Sequence, residues 1–373
     1  MKRTPFYDKH VALGGKMVAF GGYELPIQYP KGIMAEHKIV RDGVGVFDVS
    51  HMGEFDVKGP DALNYLQHLT TNDVAALVPG KAQYSCIVKE DGGIIDDCIV
   101  YMLEPDHYMV VVNGATQDKD WAWFTHHKTH HQHNVELRND ADATALLAVQ
   151  GKHAIDTLQK LTDVDLKTIE YYHFTQGTLA GEKMIISRTG YTGEPGFEIY
   201  FSSETTLANK VWDAVFAAGA EFGIEPIGLG ARDTLRLEMG YCLYGNDIDE
   251  TTYPLEAGLG WITKMKKEPA CIGFAAIAER KAAGMDRKLV GFVTEERGAI
   301  PRHGQKIYDA SDYHIGDVTS GNISPMLNHG IGMGYVAYKF SEPGTEITIE
   351  TRPGKKVKGI IKRPPFVQPE VKS

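Results

Sequence analysis

Cysteine is scarce: four in 373 residues, at positions 86, 98, 242 and 271, with no Cys-x-x-Cys spacing. A disulfide framework and the commonest zinc and redox motifs are thereby excluded, and a reducing compartment is implied. Long apolar runs are missing too. No stretch approaches the roughly 20 residues that cross a bilayer, and the opening Met1-Lys-Arg-Thr-Pro-Phe lacks the apolar centre of a secretory signal, so a cytoplasmic location is expected. Positive charge is in deficit, with 39 basic against 49 acidic residues and a formal charge of −10. That balance argues against a broad nucleic-acid or anionic-membrane footprint and leaves room only for a local basic pocket. Phosphate-cradling glycine motifs are also lacking. Gly228-Leu-Gly230 has no third glycine, and the loop Thr189 to Gly196 feeds a strand with no Gly-Lys-Ser/Thr behind it.

What remains is ordinary globular material, 43% hydrophobic and long enough for about two to three domains. Asp61 to Leu69 places Leu63, Leu66 and Leu69 on one face of a short helix. Strands are expected at Gln83–Val88, Cys98–Tyr101 and Tyr108–Val112, and an aromatic-rich helix over Thr116–Thr129. A second α+β stretch runs from Ala145–Gln150 through Met184–Arg188 and Glu198–Phe201 to a helix opening at Gly228. Arg232 lies in its first turn, where a cation opposes the macrodipole and so suggests a carboxylate or ligand nearby. From Leu289 onward short strands separated by Gly or Pro turns mark a small β-barrel or sandwich.

Two stretches carry chemistry-bearing residues in unusual places. Gly92-Gly-Ile-Ile-Asp-Asp-Cys-Ile-Val-Tyr101 sets two adjacent carboxylates inside an apolar strand-like run. Side chains alternate across a strand, so at most one of Asp96 and Asp97 faces a given cavity. The ordinary alternative is that both serve the turn at Gly92-Gly93. His126 to His133 contains two i, i+4 histidine pairs but no carboxylate, and it reads as a solvated helix end rather than a metal site.

Five segments taken together resemble one family. Phe47-Asp-Val-Ser-His-Met-Gly-Glu54, Gly92 to Asp97, Arg188-Thr-Gly-Tyr-Thr-Gly-Glu194, Gly228-Leu-Gly-Ala-Arg-Asp233 and Leu243-Tyr-Gly-Asn-Asp-Ile-Asp249 are similar, in order and spacing, to the signature segments of the glycine cleavage T-proteins, the aminomethyltransferases. The resemblance implies an α+β chain of three domains around a central folate cavity. Residues 1–50 and 140–250 would form the first, 51–139 and 251–284 the second, and 285–373 a C-terminal antiparallel β-barrel. It implies a tetrahydrofolate-dependent enzyme that takes the aminomethyl group from the lipoyl arm of an H-protein, releases ammonia and yields 5,10-methylenetetrahydrofolate. Its partners would be that lipoylated H-protein and the P- and L-proteins of the same system, with neither nucleic acid nor membrane.

The same resemblance assigns residues. Asp97 matches the catalytic aspartate, which leaves Asp96 to point away and serve the turn. Glu198 matches the pterin-binding glutamate, and one carboxylate can accept both the amino group and the ring N–H of a pterin edge. Arg232 matches a folate-contacting arginine, and Met52, Tyr84, Ile99, Tyr101, Asn113, Tyr171 and Tyr191 match positions lining the cavity. Tyr23, Lys152, Pro195 and Cys271 to Phe274 depart from the usual family pattern, away from Asp97, Glu198 and Arg232. Two rivals share the fold: a folate-dependent demethylase, disfavoured by the intact Asp96-Asp97 and Tyr244 to Asp249 segments, and a non-catalytic folate-binding scaffold, whose Lys-Gly-Cys-type motif is absent.

Overall fold

The computed structural model describes residues 1–371. The chain begins with α1 (Tyr7–Ala12), β1 (Met17–Phe20), β2 (Tyr23–Pro26), α2 (Ile33–Asp42), β3 (Gly45–Asp48), β4 (Gly53–Lys58) and α3 (Ala62–Leu69). It continues through β5 (Lys81–Val88), β6 (Ile94–Glu104), β7 (His107–Val112), α4 (Gln117–His130), β8 (Glu136–Asn139), β9 (Thr144–Gln150) and α5 (Ala154–Gln159). Then come β10 (Phe174–Leu179), β11 (Glu182–Ser187), β12 (Gly196–Ser202), α6 (Thr205–Gly219), β13 (Glu225–Pro226), α7 (Leu229–Met239) and α8 (Phe274–Ala283). The last strands are β14 (Arg287–Thr294), β15 (Lys306–Tyr308), β16 (His314–Ser324), β17 (His329–Ala337), β18 (Glu346–Arg352) and β19 (Lys355–Ile361).

Two sheets stand back to back with helices outside. One runs β10-β11-β12-β9-β3-β13 and the other β5-β6-β7-β4-β8. Their inner faces meet through Phe47, Leu146, Ala148 and Tyr200 on the first and Ala82, Tyr101, Met109 and Val111 on the second. Each outer face carries the opposite set of alternating residues. Leu147, Val149, Phe197 and Ile199 pack on α5 and α6, while Phe55, Cys98, Val100 and Val110 pack on α3 and α4. This is period-two patterning with both faces apolar, as expected of sheets covered on both sides.

The C-terminal strands close into an antiparallel barrel, β14-β17-β16-β15-β18-β19, which leaves no free edge. Of the two readings open from strand rhythm, the barrel is therefore the one adopted. It docks through Ile331 and Met333 against Cys86, Val88, Ile94 and Ile248. α7 fastens it. Asn322 of the barrel donates to Asp233 (3.0 Å), Arg236 reaches Ser320 (2.9 Å) and Asp247 (2.8 Å), and Ser324 donates to Glu238 (2.6 Å). On its other side α7 meets α2, where Arg41 pairs with Glu238 at 2.8 Å.

The four cysteines are all free and buried, as small apolar residues commonly are. Among the described residues no helix is long and apolar enough to cross a membrane. The histidine-rich end of α4 is only partly the solvated terminus expected from sequence. His126, His130 and His131 are exposed, but His127 is buried with its ring 4.3 Å from that of Trp123.

Candidate active site

A cavity of about 930 Å³ opens where the two sheets and the barrel meet. It is walled by Met52, Ile99, Val111 and Leu146 between the sheets, by Tyr84, Tyr171, Tyr172, Tyr191 and Tyr241, and by Val290 and Met333 from the barrel. Of its lining residues, Trp261, Glu342, Lys362 and Arg363 are exposed and mark its mouth.

β6 delivers the first polar group. Asp96, Cys98 and Val100 are buried toward the helix layer, whereas Asp97 and Ile99 are partly accessible from the cavity. A bulge at the β5–β6 pairing, where Ile87 faces Asp96 but Val88 faces Ile94, leaves Ile95 extra and sets this alternation. Bulges of this kind re-aim side chains beside functional sites. The Asp97 carboxylate is held at both oxygens: Tyr84 donates its hydroxyl to Oδ2 at 2.7 Å and Asn113 its Nδ2 to Oδ1 at 2.8 Å. Burial, and then the neighbouring charge of Asp96, push the Asp97 carboxyl up to about 7.

Asp96 does not serve the Gly92-Gly93 turn. It accepts from the Asn113 backbone N–H (3.0 Å), Asn113 Nδ2 (2.8 Å) and the Thr116 hydroxyl (2.8 Å), and so ties the end of β7 to the start of α4. The bulge turns it outward onto α4, away from its own turn. Behind it lies Asp120, fully buried, whose carboxyl is pushed up to about 10 by burial and by Asp96. Asp120 is therefore protonated at neutral pH, and a protonated carboxyl can donate to Asp96. Burial raises Asp96 as well, against the hydrogen bonds from Asp120, Asn113 and Thr116, so three coupled carboxyls stand along this part of the sheet and α4.

β12 delivers the second polar group from the opposite wall. Glu198 accepts from the Thr189 hydroxyl, which belongs to a hydroxyl chain with Ser187 (3.0 Å) and Tyr101 (3.3 Å). Burial raises its pKa, against the pull of Thr189 and Arg232. Arg232 enters from the first turn of α7 with its guanidinium 5.0 Å from the Tyr191 ring centre, and it makes no side-chain hydrogen bond among the described residues. Glu198 accounts for the carboxylate that the helix-start position of Arg232 called for.

Nine of the ten residues singled out from sequence line this one cavity: Met52, Tyr84, Asp97, Ile99, Asn113, Tyr171, Tyr191, Glu198 and Arg232. Tyr101 does not. It shares the Asp97 face of β6 but lies four residues on, where the sheets close together, and it is fully buried with its hydroxyl 3.0 Å from that of Tyr200. Tyr101 reaches the site only through Thr189, behind Glu198. Sequence reasoning missed Asp120, Tyr172, Tyr241, Trp261 and Arg363. A positive φ of 61° at Tyr172 is a local strain of the kind found at binding sites, and no composition or spacing signal announces it.

Comparison with known proteins agrees with this geometry. Residues 6–267 match the family model of the GCVT N-terminal domain, and residues 287–368 that of the glycine cleavage T-protein C-terminal barrel domain. The chain is 58% identical to an aminomethyltransferase of Bacteroides fragilis over 98% of its own length and 99% of that protein. It is 56% identical, with the same coverage, to an aminomethyltransferase of Bacteroides thetaiotaomicron. The crystal structure of glycine cleavage system aminomethyltransferase T from Bartonella henselae superposes with a TM-score of 0.91 at 32% identity, covering 99% of both chains.

Proposed function

From the premise that this chain belongs to the glycine cleavage T-protein family and is an aminomethyltransferase of the glycine cleavage system, we propose that tetrahydrofolate occupies the central cavity and that Asp97 is the catalytic carboxyl. The residues present suit such a ligand. Glu198 offers a carboxylate oxygen free of intrachain partners to a pterin edge, the tyrosines and Met52, Ile99 and Val111 offer aromatic and apolar walls, and Arg232 offers an unspent cation. Lys288, Lys362 and Arg363 on the barrel side offer positive charge to a glutamate tail.

When bound, tetrahydrofolate supplies the two nitrogens that take up the methylene, and in the balanced reaction its two N–H protons end on the lipoyl sulfur and on ammonia. Asp97 is suited to the proton traffic because its pKa of about 7 leaves both protonation states populated near neutral pH. Tyr84 and Asn113 fix its two oxygens, so little reorganisation accompanies the change of state. When ionised, it also offsets positive charge developing at the carbon that leaves sulfur. The apolar walls keep the dielectric low, which strengthens that interaction. The lipoyl arm of an H-protein would enter by the mouth beside Trp261 and Arg363.

The observation that carries this reading is the convergence of Asp97, with a pKa near 7, and Glu198 and Arg232 on one cavity. Its test supplies aminomethylated H-protein with and without tetrahydrofolate and measures ammonia and methylenetetrahydrofolate. Folate-stimulated release of both in equal amounts is expected. Absence of that stimulation, together with turnover of a methylated small molecule, would move the assignment to a demethylase.

A further inference from the structure

Two histidine groups far apart in sequence meet at one end of the helix layer, remote from the cavity. His68 lies in the last turn of α3, and His127 and His131 lie one turn apart at the C-terminal end of α4. One ligand atom from each of the three falls within 4.8 Å of the other two. His68 Nε2 and His131 Nε2 are 3.3 Å apart. In a tetrahedral zinc site with bonds of about 2.0–2.1 Å, two histidine nitrogens stand about 3.3–3.4 Å apart, so this pair already has the required spacing. His68 Nδ1 lies 3.3 Å from the Ala270 carbonyl. Donation to that carbonyl selects the Nδ1–H tautomer and leaves the Nε2 lone pair facing His131, as the outer partners of metal-bound histidines do.

His127 supplies an independent sign. It is only 3% exposed, yet neither of its ring nitrogens has a hydrogen-bond partner. Leaving buried polar atoms unpaired is costly, and such an atom asks for a missing partner.

We propose that His68, His127 and His131 form a metal site, separate from the folate cavity, that binds one divalent late transition cation, with zinc the best match. Three imidazoles suit zinc, nickel or copper, whereas the absence of any carboxylate from the trio disfavours magnesium and calcium. Solvent takes the fourth position. A bound ion would clamp α3 to the end of α4 beside the Ala270 loop. That end is about 20 Å along α4 from Thr116 and Asp96, so the ion acts on stability and leaves the reaction centre alone. His126 and His130 form a parallel pair with ring centres 5.6 Å apart on the exposed side of α4, and among the described residues no third ligand completes a group with them.

The test uses the full chain with no polyhistidine tag, stripped with a chelator and titrated with zinc by calorimetry and with cobalt by visible absorption. One equivalent of zinc per chain, tetrahedral-type cobalt bands and a higher unfolding temperature with zinc are expected. His131→Ala, at an exposed position that packing tolerates, and His68→Ala should each weaken zinc binding by more than the roughly 10–100-fold that loss of an outer partner costs. The double variant His126→Ala/His130→Ala should bind as wild type does, and aminomethyl transfer should be equal with and without zinc. Absence of stoichiometric binding, equal loss in the His126/His130 variant, or one equivalent retained in a His68→Ala/His131→Ala variant would each overturn the site.

Discussion

Replacing Asp97 by Asn should inactivate the enzyme and stabilise the fold in the same stroke, with a pH signature that identifies the cause. Asn is nearly isosteric here: its Oδ1 accepts from Asn113, and its amide donates to the Tyr84 hydroxyl, which then reverses from donor to acceptor. Only the charge is lost. In the folded chain the Asp97 carboxyl is raised from 3.8 to about 7 by burial and by Asp96. A group raised in this way binds its proton more tightly folded than unfolded, so its contribution is favourable below pH 4 and is lost as pH climbs toward 7. About three units at 1.36 kcal/mol each come to about 4 kcal/mol, a ceiling because Asp96 and Asp120 titrate with it and share the effect. Urea unfolding of both proteins from pH 4.5 to 8.5 should give a gap of at most about 1 kcal/mol at the acid end, 0.7 unit above 3.8, that widens in favour of Asp97→Asn and levels off above pH 7. Over the same range kcat of the variant should be lower by about 10²–10⁴, with folate affinity nearly unchanged. A variant no more stable than wild type at pH 8 would refute the buried-charge argument, and near-wild-type turnover would refute the catalytic assignment.

Glu198→Gln removes one charge-assisted contact of about 1.5–3 kcal/mol, so the dissociation constant for tetrahydrofolate should rise about 10–150-fold by calorimetry while kcat at saturating folate changes little. Tyr84→Phe deletes the donor that holds Asp97 down. The acid limb of kcat/KM against pH should therefore move to higher pH, and an unmoved limb would detach Asp97 from that titration. Asp247→Ala removes the fully buried one of the two carboxylates that hold Arg236, leaving it Asp233, and leaves the Thr319 hydroxyl without its acceptor. It should cost about 1.5–3 kcal/mol in urea unfolding and loosen the barrel, seen as faster proteolysis after residue 284.

Much of this architecture was legible because period-two patterning survives in both sheets and strand rhythm survives in the barrel. What escaped depends on contacts that no local spacing encodes. Alternation required that Asp96 and Asp97 part, but the side each takes is set by the extra residue Ile95, and a bulge has no composition signal. Tyr101 shares a face with Asp97 and still misses the cavity, because the cavity ends where Phe174 and Tyr200 close over β6. Asp120 looks like a surface residue in the first turn of α4 until Asp96 is placed beneath it. The histidines of α4 become a cluster only when α3 brings His68 to them, 59 residues earlier in the chain.

α7 explains why the cavity-facing residues and the docking of the barrel cannot be separated. Its first turn carries Arg232 into the cavity, and one turn later Arg236 is 2% exposed and bound to Asp247 and Ser320. At its end Glu238 takes Arg41 from α2 and Ser324 from the barrel. One helix of eleven residues thus spans from the cavity to the barrel, and beyond Arg232 its buried charges Arg236 and Glu238 are paired. Arg236 has two carboxylate partners, and Glu238 meets both Arg41 and His37, so losing one contact weakens this buried network by more than losing an exposed pair would. The barrel also supplies Val290, Met333, Lys362 and Arg363 to the cavity wall. A ligand held against Glu198 and Arg232 is therefore enclosed only when α7 has the barrel in place. It follows that tetrahydrofolate should raise the stability of the barrel, and that Asp247→Ala should weaken folate binding although residue 247 lies outside the cavity lining.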